Sequence, residues 1–147
     1  MYKNTITLFN RYVSNGAVKW KATVLRDVDL NADVGKMRQM YGENTTTTAK
    51  LHVKYTGAED TPYIGTNVYK PPKAFAALAS KDGAITFSSG DDFDFFVVGE
   101  ETFVSDISDD DYTDGFYNAQ NRQSDYCYAI QSVAKYSVIP HFEILAR

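Results

Sequence analysis

The run Ile85-Thr86-Phe87-Ser88-Ser89-Gly90-Asp91-Asp92-Phe93-Asp94-Phe95-Phe96-Val97-Val98-Gly99-Glu100 decides the fold class. Ile85 and Phe87 alternate with polar neighbours, as on a half-buried strand whose side chains point to opposite faces in turn. Ser88 to Asp91 supplies turn chemistry, because Gly90 reaches positive φ without steric penalty. Phe95 to Val98 are all aromatic or β-branched, the composition of a strand covered on both faces. Gly99 ends that strand. The run therefore predicts a central hairpin, with earlier strands wrapped around it and the acidic segment that follows hanging outside.

The rest of the chain agrees on β structure. Thr5 to Phe9 reads as a first strand, and Ser14-Asn15-Gly16 is a hairpin turn signal. Val18, Trp20, Ala22 and Val24 alternate with Lys19, Lys21 and Thr23, which puts Trp20 on the core face. Asp33 is placed to cap a short helical turn through Met40, although Gly35 weakens it. Thr45 to Tyr55 resumes the period of two, with Lys50, His52 and Lys54 on its polar side. Pro71-Pro72 opens a short helix over about 72–80, in which Phe75 and Leu78 share the buried face. Tyr126 to Val138 and Phe142 to Ile144 read as the last two strands. About seven short strands and one helix predict a mainly β fold, a small barrel or sandwich in a single domain.

Composition bounds the function. The chain has 147 residues, eleven Tyr, nine Phe and a single cysteine, Cys127. Such a chain is rich enough in aromatics to build a core and has no internal disulfide framework. The start of the chain lacks the apolar stretch of a signal peptide, and no apolar run is long enough to span a membrane, so no membrane partner is expected.

The net charge of −4 conceals an asymmetry. Eleven acidic residues and no Lys or Arg lie between Asp82 and Asn121, against fifteen bases and eight acids elsewhere. Residues 100–125 read as an extended acidic loop, too poor in apolar side chains to fold alone and opposed by the mutual repulsion of Asp109, Asp110, Asp111 and Asp114. On this reading the loop orders only against a partner. Asp106 and the other four aspartates then meet Lys19, Lys21, Lys50 and Lys54 of a neighbour, while Phe103, Tyr112, Phe116 and Tyr117 gain a surface to bury against.

Catalytic and cofactor signatures are missing from the sequence. An EF-hand register started at Asp106 places Asp111 at position 6 and Tyr117 at position 12; one started at Asp109 gives Asp114 and Gln120. Neither supplies the glycine and the glutamate that the loop requires, so a solvated acidic loop explains Asp106 to Gly115 better than a calcium site. A metal-dependent hydrolase on the same aspartates is a weaker alternative. His52, His141 and Cys127 are not clustered in sequence, and no serine-hydrolase, zincin or phosphate-loop motif is present. The expectation is a non-enzyme without cofactor or metal. An aromatic-rich module that binds a ligand through exposed Tyr and Trp is the reading from another class.

Several pieces together resemble a family of short proteins encoded in the head–tail gene modules of tailed bacteriophages and prophages. They are Thr5-Ile6-Thr7-Leu8-Phe9-Asn10-Arg11, Trp20 with Thr23-Val24-Leu25 and Val28, and Tyr69-Lys70-Pro71-Pro72-Lys73-Ala74-Phe75. Ile85-Thr86-Phe87 through Val97-Val98-Gly99-Glu100 and, more faintly, Ser132-Val133 with His141-Phe142-Glu143-Ile144 complete the match. The resemblance implies a virion structural protein of the neck, a stopper or head-completion subunit of the head–tail connector, with tail terminator or minor capsid protein as the neighbouring roles. It further implies a homo-oligomeric ring, hexamer or dodecamer, between portal or adaptor and tail proteins. Double-stranded DNA would pass through such a ring without sequence-specific contact.

Overall fold

The structure is a computed structural model and describes residues 2–32 and 49–147. The proposed turn over Asp33 to Met40 and the start of the strand at 45–48 lie outside the described residues.

The N-terminal hairpin forms as expected. β1 (Asn4–Ser14) runs antiparallel to β2 (Ala17–Ala32), and Ser14 pairs with Ala17 across the turn. Asn15 and Gly16 both take positive φ, +52° and +77°, the conformation that lets a two-residue turn follow the twist of its strands. Near Asp27 the pairing slips, with Asn4 opposite Val28 but Ile6 opposite Leu25. Asp27 itself sits at φ +58°, a value that aspartate tolerates better than most residues. Such a bulge bends a strand. Beyond it β2 exchanges partners and pairs with β3 (Ala49–Lys54).

Four short strands follow in a second sheet. These are β4 (Thr56–Ala58), β5 (Thr61–Ile64), β6 (Asn67–Tyr69) and β7 (Ala84–Ile85), with helix α1 (Pro72–Ala77) between the last two. Prolines open the helix and Phe75 is its buried residue, while Leu78 falls at its C-cap and is half-buried. Then come β8 (Phe95–Val98), β9 (Ile107–Ser108), a single 3₁₀ turn (Asp109–Asp111), α2 (Phe116–Gln123), β10 (Cys127–Tyr136) and β11 (His141–Ala146).

Six strands close into a barrel in the order β1, β8, β10, β11, β3, β2 and back to β1, with β9 added to β2 as an extra strand. Closure leaves the wall without an unpaired edge. Ile6, Leu8, Leu51, Phe96, Tyr128, Ile130, Phe142 and Ile144 fill the interior. The small sheet joins that core through Tyr69 and Phe87, whose rings lie 4.5 and 5.3 Å from Phe142.

The run that fixed the fold class is not a hairpin. Ile85 pairs in parallel with Tyr69 in the small sheet, whereas Phe95 to Val98 lies in the barrel wall between β1 and β10. Its turn does form, with the backbone N–H of Asp94 donating to the Ser88 carbonyl at 2.8 Å. β8 is covered on both faces as its composition predicted: Phe96 points into the barrel, while Phe95 and Val97 belong to a second apolar cluster on the outer face.

Candidate functional site

That second cluster carries the acidic segment. Phe9, Trp20, Phe95, Val97 and Cys127 project from the outer face of the wall, and Ile107 and Phe116 close over them. The segment is anchored at its start. Thr7 Oγ1 donates to the Gly99 carbonyl at 2.8 Å and accepts the Glu101 N–H at 2.9 Å. The expectation of an extended, external loop is therefore corrected: residues 100–125 hold a strand, a 3₁₀ turn and a helix, and they form a cap on β1, β2 and β8. Sequence counting undervalued Phe116, which is 0% exposed and packs edge-on to Phe9 at 5.1 Å. Trp20 is buried as predicted, but beneath this cap rather than inside the barrel. A ligand-binding module built on an exposed Trp loses its central residue.

The predicted site residues divide by what they touch. Asp109 Oδ1 accepts from Trp20 Nε1 and from the Phe116 backbone N–H, both at 2.9 Å, which fixes the cap to the hairpin. Gly115, at φ +89°, lies against the same carboxylate, and a Cβ there would stand 3.2 Å from its oxygens. Asp106 accepts the Tyr12 hydroxyl, and burial followed by that hydrogen bond pushes the Tyr12 hydroxyl up to about 12. Asp114 lies 3.9 Å from Arg122 of the same cap. Tyr117 sits edge-on to Phe93 and Phe95 at 4.8 and 4.9 Å, Phe103 meets Phe9 at 5.7 Å and Tyr112 meets Phe116 at 5.0 Å. Four aromatics assigned to a neighbouring subunit thus pack within their own chain.

Asp110 and Asp111 remain exposed on the cap, and among the described residues neither makes an ion pair. The lysines separate likewise. Lys19 is paired in register with Ser108 of the cap strand, and Lys21 bonds the Ala84 carbonyl at 3.3 Å, with burial lowering its ammonium below the usual lysine range. Lys50 and Lys54 instead stand exposed on β3. The cap strand β9 pairs with Lys19 and Trp20 near the start of β2, whereas β3 pairs with Asp29 to Ala32 at its far end. Lys50 lies 3.7 Å from Glu143 and Lys54 stands 4.5 Å over the Tyr2 ring, so the exposed aspartates and these lysines occupy separate patches, near different ends of β2.

Two constellations had no adjacent sequence signal. Asp94, 0% exposed, accepts from Arg11 N at 2.8 Å and from Ser88 N and Asn10 Nδ2 at 2.9 Å. Burial raises its carboxyl to about 7 despite these donors and the nearby Arg11 charge. An aspartate between Phe93 and Phe95 was the available clue. On β3 and β11, His52, His141 and Glu143 converge, although the two histidines are far apart in sequence.

Among the described residues no helix is long and apolar enough to cross a membrane. No curated protein and no solved structure matches the chain. A family model matches residues 1–147, and the chain belongs to that family of unknown function, DUF6751.

Proposed function

We propose that the chain is a non-enzymatic virion structural protein of a tailed phage, a head–tail connector subunit that forms a ring around the DNA channel. The observation that carries this reading is the separation of exposed Asp110 and Asp111, on the cap over the start of β2, from exposed Lys50 and Lys54 on β3, which pairs with the far end of β2. A ring needs a heterologous contact, in which one surface of each subunit meets a different surface of the next. Two separate patches of opposite charge would supply those surfaces. The family-like pieces quoted above, from Thr5 to Arg11 through Glu143-Ile144, supply the phage context. An acidic surface toward the channel also offers DNA no counterion-releasing contacts, so the duplex slides.

Sedimentation of the purified chain across salt concentrations, with and without its genomic neighbours, tests the reading. Exposed ion pairs are worth about 0–1 kcal/mol each, so assembly depends on several acting together and weakens as salt shortens the screening length below roughly 8 Å. Lys50→Glu with Lys54→Glu disperses the ring, and adding Asp110→Lys with Asp111→Lys restores it. An assembly state indifferent to both pairs of changes and to salt sinks the proposal.

A further inference from the structure

The geometry points to a binding site for a divalent transition-metal ion, of the zinc class, on the outer wall of the barrel at His52, His141 and Glu143. One nitrogen of each ring and one carboxylate oxygen lie within 4.8 Å of one another. Strand register assembles them. His52 on β3 stands opposite Glu143 on β11 and opposite Asp29 on β2, while His141 is two residues before Glu143 and so shares its face.

The distances suit a metal. Ligands at about 2.0–2.1 Å around a tetrahedral ion lie roughly 3.4 Å apart. His52 Nε2 and Glu143 Oε2 are 3.4 Å apart already. Closing a gap of 4.8 Å takes a combined shift of about 1.4 Å, shared between side chains that are partly exposed. Two imidazoles and one carboxylate favour zinc, cobalt, nickel or copper over calcium and magnesium, which prefer all-oxygen sites.

The surrounding groups orient the ligands. His141 Nδ1 lies 2.7 Å from the Ile139 carbonyl oxygen. A carbonyl only accepts, so Nδ1 carries the hydrogen and Nε2 of the neutral ring carries the lone pair. Stacking on Tyr136, with ring centroids 4.9 Å apart and planes 12° apart, holds the ring in place. Asp29 Oδ2 lies 3.7 Å from His52 Nδ1, on the ring nitrogen that Glu143 does not face. An approach closer by about 0.7 Å would make this the carboxylate–histidine hydrogen bond that fixes a ligand's tautomer in metal sites. Lys50 is 3.7 Å from the other Glu143 oxygen, Oε1, which leaves Oε2 for a single-oxygen ligand bond. With three protein ligands on an exposed wall, at least one position stays open to water or to a side chain from a partner. The site does not depend on the ring proposed above.

The test is zinc titration of the chelator-stripped full chain against a chromophoric competitor, with cobalt as a spectroscopic substitute. One zinc per chain is expected at micromolar or tighter affinity, and cobalt should give visible ligand-field bands. His52→Ala or His141→Ala should weaken binding by at least about 100-fold, and Asp29→Asn by about 10–100-fold. Lys50→Gln should tighten it, by removing a cation next to the ion. His52→Gln and His141→Gln repeat the loss should an alanine variant fold poorly, and melting without zinc verifies each fold. Substoichiometric binding, or wild-type affinity in the folded histidine variants, overturns the assignment.

Discussion

Trp20 donates its indole N–H to Asp109 at 2.9 Å, across 89 residues of sequence, and the same carboxylate oxygen holds the N–H of Phe116. One aspartate thereby joins the N-terminal hairpin to the helix of the acidic cap. Hydrogen bonds to a charged acceptor contribute about 1.5–3 kcal/mol. Asp109→Ala should cost that much in urea unfolding and shift Trp20 emission to the red. A double-mutant cycle with Trp20→Phe should give a coupling of about 0.5–3 kcal/mol. Additive losses would show that the bond contributes nothing.

The cap should be ordered without a partner. Phe116 is fully buried and touches the rings of Phe9, Trp20 and Phe95. Phe116→Ala should cost about 3–5 kcal/mol through lost burial and a cavity. In dilute protein, the Ala119 and Ser124 amides, bonded to the Gly115 and Gln120 carbonyls, should exchange slowly, with little dependence on salt. Exchange at unprotected rates would return the segment to the status of a loop that awaits its neighbour.

Cys127 reports on the same cap. Its thiol is 2% exposed and lies in the cluster that Phe116 closes. A thiol reagent should reach it only through opening of the cap or of the whole fold. Labelling should be slow in the wild type and markedly faster in Asp109→Ala at equal denaturant. Equal rates would place the opening elsewhere.

Asp94 should give the protein an inverted pH response near neutrality. Its folded pKa, raised from 3.8 to about 7, means that the folded state binds the proton more tightly than the unfolded chain does. The contribution is fully present below pH 3.8 and is lost as pH rises through about 7. At about 1.4 kcal/mol per unit, the full swing is roughly 4 kcal/mol. Arg11 is the charged group beside it, and Glu101, also raised by burial, adds a slope of the same sign that persists in the variant. Stability measured from pH 4 to 7 should fall in the wild type and flatten in Asp94→Asn. Parallel slopes would show that the carboxylate stays ionised on its three N–H donors.

Periodicity in the sequence identified strands but not their neighbours. Val18 to Val24 alternates on the page as it does in β2, yet alternation cannot say which face meets the barrel and which meets a cap. Trp20 went to the second core because Phe103 to Tyr117 covers the outside of the hairpin, a fact written far from Trp20 itself. The central run failed as a hairpin for a related reason. Turn chemistry at Ser88 to Gly90 reverses the chain, but Asp94, drawn to the N–H groups of Arg11 and Ser88, sets where β8 begins. The histidine cluster was illegible because it exists only through the pairing of β3 with β11. What sequence did convey was the concentration of acid in one segment, which the fold gathers into the cap.

The closing seam of the barrel has a consequence for synthesis. Ile6 to Phe9 waits for Phe95 to Val98, so the first hairpin leaves the ribosome long before its second neighbour exists. At about 5–20 residues per second that delay is on the order of several seconds, with an apolar strand edge open to other nascent chains. Yield in the cell should therefore be limited by translation speed between the two halves of the seam, and slow codons in that interval should favour inclusion bodies over soluble protein.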